Sequence, residues 1–307
     1  MLHPHRSKCV AVSPTGLLLV LTAAAVAGET SPTTSALGRR PSKVWTRVGP
    51  LDKTPKRVTD ALPLSDQSNA GHWVRYQPMS DEFAGKGLDR SKWITDTSWW
   101  KGRQPALFSP RNVTVSDGKL CLTMRKEKTP AAEAKFGYHD YTSATVHSKV
   151  RTAYGYFEVK AKPMASGGSS SFWFQRGAAP RSDPVTEIDV FEIGGKAKGF
   201  ERKYNMTVHV TGIPPGAKHW QVGRVWLAPW PLIDDYHVYG LQWDKDELKY
   251  FVDGVVVHTV ENTCWHYPLY LTFDSETMPE WFGMPKDQDL PSTFRIEYVR
   301  AWKRPAK

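Results

Sequence analysis

Three acids, Glu187, Asp189 and Glu192, stand in the run Glu187-Ile188-Asp189-Val190-Phe191-Glu192 and alternate with large apolar side chains. The segment is rich in strand-forming residues, so it reads as a strand with one charged face and one apolar face. In a regular strand Glu187 and Asp189 point the same way, and Glu192 points to the other side. One extra residue at Val190 or Phe191, a β-bulge, returns Glu192 to the acidic face and lines the three carboxylates along one groove. Neighbouring carboxylates raise one another's pKa, which keeps at least one of such a row protonated near neutrality. Two-carboxylate glycoside hydrolysis uses that division: an ionised carboxylate attacks the sugar while a protonated one donates to the leaving oxygen. The spacing alone leaves open which glutamate takes which part. It also fits a solvent-exposed acidic strand edge, and the rest of the chain weighs against that reading.

Aromatic faces stack on sugar rings, and thirteen tryptophans exceed what packing alone requires. Trp99 and Trp100 lie in a loop punctuated by Gly and Pro, where large aromatics have few structural reasons to sit, and a sugar-stacking role follows for them. Trp173 alternates onto a face close to the acidic strand and is a candidate sugar platform, with a core tryptophan as the other reading. His209, in Met206-Thr207-Val208-His209-Val210, is a candidate for a substrate hydroxyl. Arg176, Arg151 and Lys149 are candidates for an anionic substituent, although charges on strands are commonly just solvated.

The elements around these residues are strands. Asn112-Val113-Thr114-Val115 and Lys119 to Arg125 flank an Asp117-Gly118 turn, and Leu248 to Val252 and Val255 to His258 flank Asp253-Gly254, two tight hairpin signals. Further alternating runs occupy Tyr141 to Ser148, Gly155 to Lys162, Ser170 to Gln175, Glu187 to Ile193, Asn205 to Val210, Tyr236 to Trp243, Leu269 to Asp274 and Thr293 to Lys303. Long amphipathic helices and a fixed repeat are lacking, so the expected fold is all-β: a two-sheet antiparallel jelly-roll sandwich with a concave substrate groove.

A length of 307 residues with 40% hydrophobic side chains supports one such domain. Residues 1–27 read as a signal peptide: His5, Arg6 and Lys8, then the apolar run Gly16 to Val26, then a small-residue cleavage site at Ala25-Val26-Ala27. The run is too short to span a bilayer, so a secreted or periplasmic protein without a membrane span is expected. Residues 28–71, rich in Ser, Thr, Pro, Lys and Arg, read as a disordered leader; residues 72–307 make the folded domain. A net charge of +10 favours a polyanionic partner. Nucleic-acid motifs are missing, and a sulfated or carboxylated polysaccharide answers the charge equally well. Cys9 leaves with the signal; Cys121 and Cys264 form a disulfide or stay as two buried thiols. Asn112-Val113-Thr114 and Asn205-Met206-Thr207 match the glycosylation acceptor pattern.

The acidic run resembles the bulged catalytic motif of glycoside hydrolase family 16, and its surroundings resemble the same family in order and spacing. Tyr154 to Lys160 and Ser171-Phe172-Trp173-Phe174 are similar to the strands before the catalytic one; Asp235 to Trp243, Tyr250 to Gly254 and Pro291 to Lys303 are similar to later ones. Phe273 to Gly283 is most similar to the agarase and porphyranase branch, which acts on red-algal galactans. The resemblance implies a secreted, endo-acting, retaining hydrolase of β-linkages in agarose- or porphyran-type galactans, acting as a monomer on a polysaccharide that is in some cases sulfated. It implies Glu187 as nucleophile, Glu192 as acid/base and Asp189 as electrostatic helper, with the reacting carboxyls about 5 to 5.5 Å apart. It further implies substrate contacts for Glu276 and Trp281 beyond the cleavage point and for His237 on a later strand. No cofactor is required; family members hold a structural calcium on the convex side, but no ligand set for it, and no other metal site, stands out here. The competing readings are a β-1,3- or mixed-linked glucan hydrolase of the laminarinase type, a transglycosylase using the same residues, and a polysaccharide-binding lectin on the same fold.

Overall fold

The computed structural model describes residues 39–97, 99–177, 185–213 and 217–305; the expected signal peptide lies outside them. In chain order the strands are β1 (Val44–Thr46), β2 (Val74–Arg75), β3 (Trp93–Ile94), β4 (Ala106–Phe108), β5 (Val113–Ser116), β6 (Lys119–Met124), β7 (Tyr141–Thr152), β8 (Gly155–Lys162) and β9 (Ser169–Gln175). They continue as β10 (Val185–Ile193), β11 (Lys203–Thr211), β12 (Trp220–Leu227), β13 (His237–Trp243), β14 (Glu247–Val252), β15 (Val255–Glu261), β16 (Leu269–Glu276) and β17 (Ser292–Lys303). A single short α-helix among the described residues, α1 (Ala131–Ala134), sits in the loop between β6 and β7.

Two sheets form the sandwich. The outer sheet runs β1-β15-β14-β13-β8-β17-β6-β5, with β2 beside β17; the groove sheet runs β12-β11-β10-β9-β16-β7-β3. All these pairings are antiparallel, and only β4, alongside β7, is parallel. Both hairpin turns form as their Asp-Gly pairs require, with Asp117, Gly118, Asp253 and Gly254 all at positive φ. Inward faces meet through aromatic rings: Phe174 of β9 contacts Phe157 of β8 at 4.7 Å between centroids, and Phe191 of β10 contacts Tyr239 of β13 at 4.8 Å. Each such fully buried ring stabilises the fold by about 1.5–3 kcal/mol.

The bulge falls where the acids need it. Asp189 and Phe191 on β10 face the consecutive residues Trp173 and Phe172 on β9, so Val190 is the extra residue. Val190 and Phe191 both turn inward and are fully buried, and Glu192 returns to the face of Glu187 and Asp189. The strand ends at Gly194-Gly195. A Cβ on Gly195 would stand 2.3 Å from the Met164 carbonyl oxygen, and its φ is +56°, so this close crossing of two chain segments requires glycine.

One expectation is corrected and two open ones are settled. The leader is not disordered over its described part: from Arg39 onward it is strapped to the outer sheet. β1 pairs with β15, the Leu64 N–H donates to Glu158 Oε2 at 2.7 Å, and Arg57 forms an ion pair with the fully buried Glu158 carboxylate. Its Ser- and Pro-rich composition hid these contacts because they are made by backbone and charges, not by an apolar period. Cys121 and Cys264 are both free, buried thiols. The amides of Asn112 and Asn205 are buried and donate to Thr142 Oγ1 and to the Glu192 carbonyl oxygen, so neither is presented as a glycan acceptor.

Candidate active site

Paired residues on neighbouring strands share a face, so the register of the groove sheet lays out the site. Glu187 is flanked by Gln175 and His209, Asp189 by Trp173 and Thr207, and Glu192 by Ser171 and Asn205. On β16 the same face carries Thr272 opposite Trp173, Asp274 opposite Ser171 and Glu276 opposite Ser169. Five carboxylates therefore stand on one face of two strands that flank β9. Alternation along β16 could have revealed Asp274, which the sequence reading passed over.

These acids floor a groove made of adjoining cavities. The first, about 940 Å³, is lined by Glu187, Glu192, Asn205, Thr207 and His209, by Gln221, Gly223, Arg224 and Val225 of β12, and by Met278 to Trp281. The second, about 420 Å³, is lined by Trp100, Arg103, Tyr138, Trp173, Glu187, Asp189, Glu192, Asp274 and Glu276. Arg103, absent from the sequence reading, borders both and faces Glu276 with Nε–Oε2 3.3 Å and Nη2–Oε1 3.4 Å. Nothing in its loop context marks it; only the tertiary fold brings it to the acids.

Electrostatics separates the glutamates. Burial and then the negative charge of Asp189 push the Glu187 carboxyl up to about 8, opposed by His209 and Arg103. Burial, followed by Asp189, Glu276, Glu187 and Asp274, drives Glu192 well above the ordinary range, and its principal neighbours are all acids. Burial raises Glu276 to about 7 against the pull of Arg103, and burial with the charge of Glu276 raises Asp274 strongly. His209 Nε2 lies 3.0 Å from Asp189 Oδ2 and 3.8 Å from Glu187 Oε1. Burial alone would lower the His209 pKa; the hydrogen bond and charge of Asp189, with Glu187, raise it instead. An imidazolium at His209 forms an ion pair with Asp189 through Nε2 and donates from Nδ1 to His219 Nε2, 2.9 Å away.

Among the other sequence candidates, Trp173 donates its Nε1–H to Asp274 Oδ2 at 2.6 Å. Trp100 stands edge-on to Trp173 and to Phe108, and Trp99 stacks on Trp100 at 6.0 Å with 40% of its surface exposed. Trp281 lies over the first cavity, 42% exposed and stacked on Phe282. His237 is a correction: it sits on β13 of the outer sheet, stacked on Trp230 and bonded to Asp253 Oδ2 at 2.7 Å, and has no part in the groove. Its strand matches in sequence, but strand order carries it to the other layer. Arg176 follows β9 directly, Lys149 is exposed on β7 and Arg151 lies over Tyr270; none of the three lines either cavity.

Among the described residues, the one set of three close metal-binding side chains is Glu187, Asp189 and His209 in the groove itself. Three acids on or beside the outer sheet are answered by cations: Glu158 by Arg57, Glu82 by Arg300, and Glu297 by Lys160. Carboxylates already paired in this way are poor ligands for a calcium ion.

A sandwich with a row of partly protonated carboxylates along the floor of an open groove is the architecture of a glycoside hydrolase acting on a polymer. The chain belongs to glycoside hydrolase family 16: the family model described as β-porphyranase A–D, GH16 domain, matches residues 73–304. It is 30% identical over 251 residues to β-porphyranase B of Zobellia galactanivorans, covering 75% of this chain and 85% of the relative. It is 27% identical over 265 residues to glucan endo-1,3-β-glucosidase A1 of Niallia circulans, covering 73% of this chain and 37% of that protein. The crystal structure of porphyranase B from Zobellia galactanivorans superposes with a TM-score of 0.67 at 28% identity, over 75% of this chain and 92% of the other. No helix among the described residues is long and apolar enough to cross a membrane.

Proposed function

We propose that the protein is an exported, endo-acting, retaining hydrolase of β-linkages in red-algal galactans of the porphyran or agarose type. The observation that carries this reading is the bulge at Val190, which sets Glu187, Asp189 and Glu192 in one row on the floor of a groove open along its length. Glu187, next to the His209 cation and within the field of Arg103, is the glutamate easier to ionise, and it attacks the anomeric carbon. Glu192, its principal neighbours all acids, keeps its proton and delivers it to the leaving oxygen; as carboxylate it then activates the water that releases the covalent intermediate. Asp189 holds His209 and sets the charge between the two. Similarity to β-porphyranase B supports a galactan as substrate, and the residue 1–27 pattern supports export.

The test is digestion of porphyran, agarose, κ-carrageenan and laminarin side by side, with the products sized and their anomeric configuration followed by NMR. Oligosaccharides from porphyran or agarose, released first as the β-anomer, are expected. Cleavage of laminarin alone overturns the galactan assignment and favours the glucanase reading that the similarity to the Niallia circulans enzyme raises.

A further inference from the structure

Beside the catalytic cavities lies a third, about 790 Å³, lined by Trp99, Trp100, Lys101, Gln104, Lys135, Phe136, Gly137 and Tyr138. It continues the groove, since Trp100, Gln104 and Tyr138 also line the second cavity. Its character is different. The second cavity is lined by five carboxylates, whereas the charged residues of the third are two lysines. We propose that this shelf is a distal subsite for a sugar ring bearing a negatively charged substituent, with Lys135 as the specificity-determining cation. The proposal rests on the galactan reading above and extends it to the charge of the polymer.

Two exposed rings offer stacking faces there, Trp99 at 40% and Phe136 at 52% exposure. Phe136 is not needed for the core, and a ring left in water at the mouth of a cleft has its clearest use in covering a ligand's apolar face. Both lysines gather at Phe136: Lys135 Nζ lies 5.0 Å and Lys101 Nζ 5.6 Å from its centroid. They are not equivalent. Lys101 is held by Glu133 at 2.8 and 3.0 Å, so its charge is already answered. Lys135, directly after α1, makes no ion pair among the described residues and keeps its charge for a ligand. An unanswered ammonium beside a stacking platform gives a neutral sugar only a hydrogen bond to a hydroxyl; a sulfate ester or a carboxylate gains charge attraction as well. The basic residues singled out from sequence, Lys149, Arg151 and Arg176, line none of the three cavities.

The experiment compares kcat/KM of the full-length protein and its Lys135→Gln and Lys135→Arg variants on three polymers: sulfated porphyran, the same porphyran after solvolytic removal of its sulfate esters, and agarose oxidised to the uronate at C6. One partly exposed charge contact predicts that Lys135→Gln lowers the preference for sulfated over desulfated polymer about threefold and Lys135→Arg keeps it. Raising the salt concentration should shrink the preference in the native protein and leave the glutamine variant flat. A parallel loss on the uronate polymer means the shelf reads negative charge of either kind; loss confined to porphyran assigns it to sulfate. An unchanged preference in Lys135→Gln overturns the shelf while leaving the galactan reading intact. Failure of the native protein to cut any of the three overturns both.

Discussion

The two glutamates differ in the company they keep, and that difference is measurable. Glu187→Gln removes the nucleophile and Glu192→Gln the acid/base, so each should lower kcat by at least about 10²- to 10⁴-fold on polymer. Azide should distinguish the two by its product: an inverted glycosyl azide from the variant that lacks the nucleophile and a retained one from the variant that lacks the acid/base. If either variant retains native turnover, the assignment of that residue fails. The pH profile follows from the same neighbours. Glu187 must be ionised and is raised to about 8, so kcat/KM should still be climbing well above the ordinary carboxylate value of 4.5; Glu192 must be protonated, and burial with its acidic neighbours moves the falling limb well above that ordinary value too. Replacing His209 by Ala removes a cation that eases ionisation of Glu187, and should move the rising limb to higher pH. Stability should respond with the opposite sense. A carboxyl that stays protonated in the fold carries a proton that the unfolded chain has shed, so its contribution to stability is full below pH 4.5 and is lost as pH rises toward the folded value. Glu192→Gln is therefore expected to melt roughly 3 °C or more above the native protein at pH 8 and level with it at pH 4, read by thermal denaturation across pH.

One residue of strand length sets the spacing of the acids. Deleting Val190 would restore plain alternation with Glu192 four residues after Glu187, still on the acidic face, but would remove the local bend and twist that the bulge gives the strand. The spacing of Glu192 from Glu187 changes with the bulge, so the deletion should lower kcat on polymer while the fold survives denaturant titration, whereas Val190→Ala should keep the bulge and most of the activity. This bulge was legible in the sequence because three acids and a strong apolar alternation left only Val190 or Phe191 as the extra residue. The hairpins at Asp117-Gly118 and Asp253-Gly254 were legible for the same reason, a local chemistry with few alternatives. β12 was not: its inward residues Trp220, Val222 and Trp226 are interrupted at the alternating position by the exposed Arg224, and its other face lies in water, so the apolar period is broken. Arg103, Asp274 and His219 enter the site through register and loop placement, and His237 leaves it by the same route. Contacts between residues distant in sequence have no local period, which is why the acidic row could be read and its partners could not.

At the level of the whole molecule, the outer sheet is stitched by charge. Glu158 is fully buried and receives the Leu64 N–H, the Tyr298 hydroxyl at 2.9 Å and Arg57, while Arg300 bridges Glu82 and Asp60. Removing Arg57 strands a buried carboxylate, so Arg57→Ala should cost about 3 kcal/mol in urea unfolding with kcat/KM unchanged, because the ion pair lies across the sandwich from the groove. With these acids already neutralised by arginine and lysine, chelation by EDTA should leave the melting temperature where it was. The strap also changes where the gene can be cut. Likeness to the family begins at residue 73, and a boundary drawn there would discard β1 together with the caps on Glu158. A fragment starting at residue 73 should come out of expression aggregated or readily proteolysed, and one starting at residue 39 soluble, so kinship and foldability set different starting points for the same enzyme.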